Sequence, residues 1–194
     1  MEIKNLVDIQ DNMLDMNIVG RMLAVYSQQP EKFKDATVAS DKQNTPGLLD
    51  KKVRSAKNVI LNRNQQNLTD VHWGNILVNV FIQGIDNYIK NKNCKYLFNC
   101  SVRDMILLKY EKGDHYVYHV DHGNTTPRTL SSIFLLNNDY EGGEVCFTDP
   151  SGNEEFCIDV KPSRLIVWPS NFMFPHSIKP VTKGTRYSVV SWAL

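Results

Sequence analysis

The chain has 194 residues, in which 22 Lys and Arg against 21 Asp and Glu give a formal net charge of +1. This length is enough for one domain with a full core and short for two. The balanced charge, without a run of five like charges, gives no support for a nucleic-acid partner or a membrane surface.

Residues 1–93 are predicted to form a helical support region. Apolar residues recur near a helical period over residues 12–27, which indicates a helix. Residues 32–52 are polar and contain the turn signal Pro46-Gly47, so that a loop is expected there.

A second, stronger helix is predicted after a short strand over residues 58–61. Thr69 and Asp70 offer an N-cap for this helix. Its apolar side chains form one stripe, which should pack on the outside of a sheet, and no chemistry is assigned to it. The stripe consists of Ile76, Leu77, Val80, Phe81, Ile85, Tyr88 and Ile89.

The beginning of the chain lacks the apolar core of a signal peptide, and the most apolar stretch, residues 76–82, is too short to span a bilayer. We therefore expect a cytoplasmic protein without a membrane partner. The four cysteines form no CxxC pair and no zinc-site spacing, so reduced thiols in the core are expected. They are Cys94, Cys100, Cys146 and Cys157.

From residue 94 onward, short runs rich in β-forming residues alternate with turn signals. The runs lie at residues 102–110, 116–121, 129–136, 144–148, 155–160, 164–168, 176–181 and 186–194. Close-spaced strands without intervening helices are typical of an antiparallel barrel or jelly roll. We therefore predict an α+β, mainly β fold, with its core over residues 94–194 and a single domain over residues 1–194.

Two histidines and one carboxylate form the clearest functional pattern. His119 and Asp121 stand two residues apart in a β-like run, so both side chains can reach one point, whereas on a helix they would diverge by about 200°. His176 must come from a distant strand, which a rolled sheet supplies. Two imidazoles and a carboxylate can hold Fe(II) on one face of its octahedron, which leaves the other face for an organic co-substrate and oxygen. For the flanking His115 and His122 we expect solvent-facing or supporting roles.

Arg186 stands ten residues after His176 and is a fixed cation suited to binding a dicarboxylic acid. On the predicted last strand Arg186 and Trp192 share one face, so if one side chain points into the barrel, the other does too. A buried guanidinium needs an anionic partner, and a co-substrate carboxylate can accept two parallel hydrogen bonds from it. The alternative is a structural salt bridge to an Asp or Glu of the chain.

These motifs together resemble the iron(II)- and 2-oxoglutarate-dependent dioxygenases of the prolyl 4-hydroxylase-like type. The similarity covers roughly residue 102 to the C-terminus, with residues 54–56 upstream. It rests on residues 110–113, 119–121, 141–144 and 176–187 and on Trp192. The resemblance implies a double-stranded β-helix (jelly-roll) core that binds Fe(II), 2-oxoglutarate and O2, with ascorbate as a further candidate cofactor. It makes His119, Asp121 and His176 the metal ligands, and these three with Arg186 the catalytic set.

The resemblance also implies a co-substrate pocket. Tyr110 stands where related enzymes bind the tail carboxylate with a tyrosine hydroxyl, and Trp192 is expected to wall the pocket; each has the alternative role of a plain core aromatic. Arg186 replaces the lysine that the family often carries. Leu135 and Val145 stand where relatives can place Tyr or Thr, so fewer hydrogen bonds to the co-substrate are expected.

The implied reaction is hydroxylation of a C–H bond, coupled to decarboxylation of 2-oxoglutarate to succinate and CO2. Asp121 favours hydroxylation, because relatives that halogenate have a small residue there. Arg128 stands where peptide-modifying relatives contact the bound chain, so it is the candidate substrate-binding residue and a peptidyl proline is the leading substrate. The alternative for Arg128 is an exposed arginine at a strand end.

Other functions stay open at this point. Trp192 occupies the place of a second arginine in nucleic-acid demethylases, which disfavours that activity. Hydroxylation of another protein side chain or of a small molecule remains an alternative. A non-catalytic metal-binding, cupin-like module is the alternative outside enzymes.

Overall fold

The computed structural model of the protein describes residues 2–38, 47–61, 67–97, 100–123 and 127–194. Within these residues the helices are α1 (Met16–Ser27) and α2 (Leu68–Asn91), with 3-10 turns at Ile3–Leu6 and Pro30–Lys32. Neither of the described α-helices is both long and apolar enough to cross a membrane.

The strands of the described residues are short, and most lie after α2. They are β1 (Asp8–Gln10), β2 (Lys34–Asp35), β3 (Arg54–Ser55), β4 (Lys57–Ile60), β5 (Val102–Tyr110), β6 (His115–His119), β7 (Leu130–Leu135), β8 (Glu141–Gly142), β9 (Val145–Thr148), β10 (Glu155–Ile158), β11 (Arg164–Pro169), β12 (His176–Ile178), β13 (Val181–Lys183) and β14 (Arg186–Ala193).

The strands form two larger antiparallel sheets and one small hairpin-like pair. The major sheet has the order β1-β11-β7-β14-β5-β4-β2, and the minor sheet has the order β10-β9-β12-β6-β3. The pair β13-β8 lies apart from both. Because sequence neighbours such as β6 and β7 belong to different sheets, the chain repeatedly crosses from one layer to the other, as in the predicted jelly roll.

Two hydrophobic cores hold these layers. The inner core lies between the sheets and includes Leu108, Ile133 and Ile166 of the major sheet with Val145, Phe147 and Ile178 of the minor sheet. The outer core lies between the major sheet and the helices and includes Val19, Met22, Leu77, Phe81, Leu107, Phe134 and Leu165. All six residues of β7 are buried, since this central strand is covered on both faces. The helical stripe therefore packs on the sheet as predicted.

The sequence predicted the long elements better than the short ones. Strand β5 has the predicted bounds, whereas the run at residues 176–181 divides into β12 and β13. The support region is not purely helical, because residues 8–60 contain β1 to β4, which are strands of the two sheets. The predicted loop at residues 32–52 contains β2 and a bridge between Val38 and Leu48, and its turn at Pro46 lies outside the described residues.

The N-cap of α2 is Asn67 rather than Thr69 or Asp70. Its side-chain oxygen accepts hydrogen bonds from the backbone N–H groups of Thr69 at 3.0 Å and Asp70 at 3.1 Å. The buried carboxylate of Asp70 instead accepts from the Tyr26 hydroxyl and from Lys32 Nζ, each at 2.8 Å. Asp70 thus ties α2 to α1 and to the turn that follows α1.

Replacing Asn67 with alanine is expected to lower the free energy of unfolding by about 1 kcal/mol, because two N–H groups of the first turn lose their acceptor. Urea denaturation measures this change. Asn67→Ser is the matched control, since serine also caps helices and should retain most of the stability. Equal urea midpoints for the alanine and serine variants would contradict the proposed cap.

The expectation of four reduced thiols was wrong for one pair. Cys146 and Cys157 form a disulfide, with their Cα atoms 4.0 Å apart. They stand directly opposite each other in the antiparallel pair β9-β10, a register that their separation of 11 residues does not reveal. Cys94 and Cys100 are free and partly buried.

Candidate metal centre

A cavity of about 260 Å³ opens between the two sheets. The side chains that line it come from both layers and are mostly apolar, with Ile106, Leu108, Ile133, Val145, Ile178 and Val190 among them. Its polar lining includes His119, Asp121 and His176. Such a cavity, apolar with a few convergent polar groups, is the usual form of a small-molecule site.

The structure brings these three polar residues together. His119 and His176 are direct cross-strand partners in the antiparallel pair β6-β12, and Asp121 follows two residues after the end of β6. The carboxylate oxygens of Asp121 lie 3.7 Å from His119 Nε2 and 3.3 Å from His176 Nε2. One nitrogen or oxygen from each residue lies within 4.8 Å of the others, and ligands at bonds of about 2.1 Å stand about 3 Å apart, so the donors fit one metal ion.

Backbone contacts orient both imidazoles. Nδ1 of His119 lies 2.9 Å from the carbonyl of Val117, and Nδ1 of His176 lies 3.1 Å from the carbonyl of Phe174. A carbonyl can only accept, so each Nδ1 carries the proton and each Nε2 keeps a lone pair for a metal. Burial, followed by the neighbouring His176, lowers the pKa of His119 to about 3, which keeps its imidazole neutral.

The carboxylate of Asp121 is held in its charged form. Burial raises the pKa of this carboxyl, but the neighbouring His176 and His119 side chains and a hydrogen bond from Ser131 outweigh burial and hold the pKa well below its usual range. Ser131 Oγ donates to Oδ2 at 2.7 Å, and Arg128 Nη1 lies 3.6 Å from Oδ1. An ionised carboxylate between two neutral imidazoles is the donor set that Fe(II) takes on one face.

Aromatic rings support the two histidines. Tyr116 stacks on His119 with ring centroids 3.6 Å apart, and Trp168 meets His176 edge-on at 4.8 Å. The alternation of side chains along a strand would place Tyr116 and His119 on opposite faces. A register irregularity in the pair β6-β12 instead turns the Tyr116 ring to the same side as His119. His115, which has the parity of His119, instead contacts the carbonyls of Gly113 and Lys52 on the exposed side. His122 is also exposed and contacts the carbonyl of Arg128.

Arg186 is fully buried at the start of β14, opposite Tyr110 of β5. Its Nη1 donates to Ser188 Oγ at 2.7 Å, and its Cζ lies 5.2 Å from the centroid of the Tyr110 ring. Nε and Nη2 have no partner among the described residues, so no carboxylate in this part of the chain accepts from them. A buried cation with two free donors could bind the carboxylate of a bound acid, and this role of Arg186 stays a prediction.

The surroundings of Arg186 leave little space. A Cβ at Gly143 would lie 2.9 Å from Arg186 Cδ, and Gly143 has a φ of +69°, so glycine is required there on both grounds. The hydroxyl of Tyr140 is buried and likewise has no partner among the described residues. Burial raises the pKa of Tyr140, while the charge of the nearby Arg186 guanidinium lowers this pKa by less.

Arg128 and Trp192 form a stacked pair beside the metal ligands. The guanidinium carbon of Arg128 lies 3.6 Å from the centroid of the Trp192 ring, and the Arg128 side chain is only 20% exposed. The alternative of an exposed strand-end arginine is therefore wrong. Trp192 lines the cavity on the same face of β14 as Arg186 and Val190, as its spacing predicted.

Leu135 and Val145, which stand where relatives can place Tyr or Thr, and Arg54 are the remaining residues near the pocket. Leu135 and Val145 are buried in the inner core, so neither adds a hydrogen bond. Arg54 of β3 lines the cavity, with its guanidinium carbon 4.8 Å from the centroid of the Tyr116 ring, and was not predicted as a site residue. Its Nε has no partner among the described residues. The resemblance of residues 54–56 to the family was the sequence signal that could have indicated Arg54.

Residues 105–194 match the family model described as the 2OG-Fe(II) oxygenase superfamily. The chain is 25% identical over 158 residues to a PKHD-type hydroxylase of Idiomarina loihiensis, covering 79% of this chain and 60% of that protein. It is 29% identical over 122 residues to human Egl nine homolog 1, covering 59% of this chain and 28% of that protein. The chain thus spans 60% or less of the length of these curated relatives.

Solved structures with the same fold cover nearly the whole chain. A prolyl hydroxylase of Trichoplax adhaerens, in complex with a peptide fragment of the hypoxia inducible factor oxygen degradation domain, has a TM-score of 0.72 at 19% identity and covers 98% of this chain and 84% of its own. A Pseudomonas putida prolyl-4-hydroxylase has a TM-score of 0.69 at 17% identity and covers 96% and 91%. These similarities confirm the predicted double-stranded β-helix (jelly-roll) fold.

Proposed function

Residues 105–194 belong to the 2OG-Fe(II) oxygenase superfamily, and from this premise we propose that the protein is an iron(II)- and 2-oxoglutarate-dependent dioxygenase of the prolyl 4-hydroxylase-like type. It hydroxylates a C–H bond and converts 2-oxoglutarate and O2 to succinate and CO2. The observation that carries the proposal is the convergence of two imidazoles and a carboxylate in a cavity that is also lined by Tyr110, whose ring lies 5.2 Å from the buried guanidinium of Arg186 with its two donors free among the described residues.

His119, Asp121 and His176 are proposed to hold Fe(II). The iron supplies the activation of O2 and the oxidation of an unactivated C–H bond, which no side chain can perform. The chain contributes the orientation of the ligands, through the carbonyls that hold each Nδ1 and through Ser131 on Asp121. A carboxylate at position 121 occupies the place where halogenating relatives have a small residue, which favours hydroxylation.

Arg186 is proposed to bind the tail carboxylate of 2-oxoglutarate, with Tyr110 beside it. Arg186 and Tyr110 lie in the major sheet, and the proposed iron ligands lie on or next to the minor sheet, so a co-substrate that reaches both would span the cavity. Because Leu135 and Val145 are apolar, the binding energy rests mainly on Arg186. Trp192 and the apolar lining exclude water from this region, which strengthens each polar contact.

The proposed substrate is a prolyl residue in a peptide or protein. Arg54 and Arg128 line the cavity and are the candidate contacts for a polypeptide chain. Exposed apolar side chains stand near the proposed metal ligands in sequence, at Val120 between His119 and Asp121 and at Phe172 and Met173 before His176, and would add apolar contact. The likeness to prolyl hydroxylases, one of them with a bound peptide, supports this choice.

We also propose that residues 1–194 act as one domain, with residues 1–93 supporting the core at residues 94–194. The helices pack on the outer face of the major sheet, and β3 completes the minor sheet with Arg54. The support region would therefore contribute to the pocket as well as to stability.

A 2-oxoglutarate turnover assay with Fe(II) and ascorbate tests the function. The expected result is succinate formation that rises when a proline-rich peptide is added, with the peptide gaining one oxygen atom by mass spectrometry. The matched control is the same peptide with each proline replaced by alanine. Turnover without peptide dependence would favour another side chain or a small molecule as substrate. Metal binding without any turnover would favour the cupin-like module and contradict the proposal.

A further inference from the structure

We propose that Ser131 is a positioning residue that fixes the Asp121 carboxylate in the metal centre, with Ser170 holding Ser131 in turn. The inference rests on the proposed iron site, and it adds Ser170, the residue that follows β11, to the contact between Ser131 of β7 and Asp121. Ser131 and Ser170 are 1% and 0% exposed, so both hydroxyls are out of contact with bulk water.

The direction of the hydrogen bonds follows from the number of protons available. Ser131 Oγ lies 2.7 Å from Asp121 Oδ2 and 2.8 Å from Ser170 Oγ. An ionised carboxylate only accepts, so the one hydroxyl proton of Ser131 goes to Asp121. Ser170 must then donate its own proton to Ser131. The two hydroxyls form a chain of donors that ends on the carboxylate, and such chains are stronger than their separate bonds.

The same segment also holds the backbone next to Asp121. The N–H of His122 donates to the carbonyl of Ser170 at 3.0 Å, and the N–H of Ser170 donates to the carbonyl of Thr129 at 3.1 Å. Asp121 lies beyond the end of β6, where no strand partner fixes it. Its side chain and the residue after it are therefore both held by β7 and by the residue that follows β11.

The functional consequence concerns the orientation of the Asp121 carboxylate. Because Oδ2 accepts the proton of Ser131, rotation of the carboxylate is restricted. Ser131 would thus keep the carboxylate oxygens 3.7 Å from His119 Nε2 and 3.3 Å from His176 Nε2, the arrangement in which the three side chains can bind one metal ion.

Metal titration of the metal-free protein tests this role without any turnover. In calorimetric titrations with Co²⁺, we expect Ser131→Ala to weaken binding about 10- to 100-fold, as for other contacts that orient metal ligands. Ser131→Thr retains the hydroxyl and should recover most of the affinity. Ser170→Ala should show a smaller loss than Ser131→Ala, since Ser131 then keeps its bond to Asp121.

Ser191→Ala is the matched control. Ser191 is also buried and its hydroxyl donates to the backbone carbonyl of Arg103 at 2.9 Å, away from the metal ligands. The Tm of the metal-free protein should fall by a similar amount in Ser131→Ala and Ser191→Ala. Only Ser131→Ala should weaken Co²⁺ binding. Equal Co²⁺ affinity for the wild type and Ser131→Ala would overturn the inference and leave the proposed function intact. A wild-type protein that binds no Co²⁺ or Fe(II) would overturn both.

Discussion

Replacing His176 with alanine is expected to weaken Fe(II) binding by at least about 100-fold and to abolish turnover of 2-oxoglutarate. His176 is 5% exposed, and its Nε2 points to the carboxylate of Asp121 at 3.3 Å. Loss of a direct ligand should cost at least as much as loss of the contacts that orient ligands, which reaches about 100-fold. Anaerobic titration of the metal-free protein with Fe(II) measures the change.

His115→Ala is the matched control for this experiment. His115 lies on the same strand as His119, but both of its ring nitrogens contact backbone carbonyls on the exposed side. Its removal should leave the Fe(II) affinity near that of the wild type. His119→Ala provides a second test with less risk to folding, because its side chain is 17% exposed. Wild-type affinity in both His119→Ala and His176→Ala would exclude the proposed centre.

Replacing Arg186 with alanine is expected to weaken 2-oxoglutarate binding about 30- to 4000-fold while Fe(II) affinity stays unchanged. Removing one partner of a buried, hydrogen-bonded charge pair costs about 2–5 kcal/mol, and each 1.4 kcal/mol corresponds to a factor of ten. Arg186→Lys should fall between the wild type and Arg186→Ala, since lysine keeps the charge but loses the planar pair of donors. Titration of the Co²⁺-loaded protein with 2-oxoglutarate separates the two affinities.

The exposed Arg103 supplies the control for charge, since Arg103→Ala removes a guanidinium on β5 without touching the cavity.

The stability of the metal-free protein provides a second test of the role of Arg186. Nε and Nη2 of Arg186 lack partners among the described residues, so its removal should not destabilise the free protein as the loss of an ion pair would. A rise in Tm on adding 2-oxoglutarate should occur in the wild type and be absent in Arg186→Ala. An equal rise in both would place the carboxylate elsewhere.

The parts of the fold and site that the sequence predicted share a strong local pattern. Most strands from β5 onward lie in runs that the sequence indicated, and His119, Asp121, His176 and Arg186 lie in motifs of fixed spacing. The two- and three-residue strands β1, β2, β3 and β8 were missed, because so few residues show no alternation. Their pairing depends on long-range contacts instead.

The missed side chains of the site have the same explanation. Ser131, Tyr116 and Ser170 gain their roles only from the register between strands that are distant in sequence. The disulfide of Cys146 and Cys157 likewise depends on the β9-β10 register. For Arg128 the sequence indicated the location and not the geometry, because it stacks on Trp192 of β14, a residue distant in sequence from the segment before β7.

The separation of Arg186 from the proposed iron ligands has a mechanical consequence. Arg186 lies in one layer of the sandwich, and His119 and His176 lie in the other. A dicarboxylic acid chelated at one end and ion-paired at the other would connect the two layers directly, in addition to the apolar side chains through which they meet. Occupancy of the cavity would then slow amide hydrogen exchange in β6, β12 and β14 together, so that these strands open as one cooperative unit.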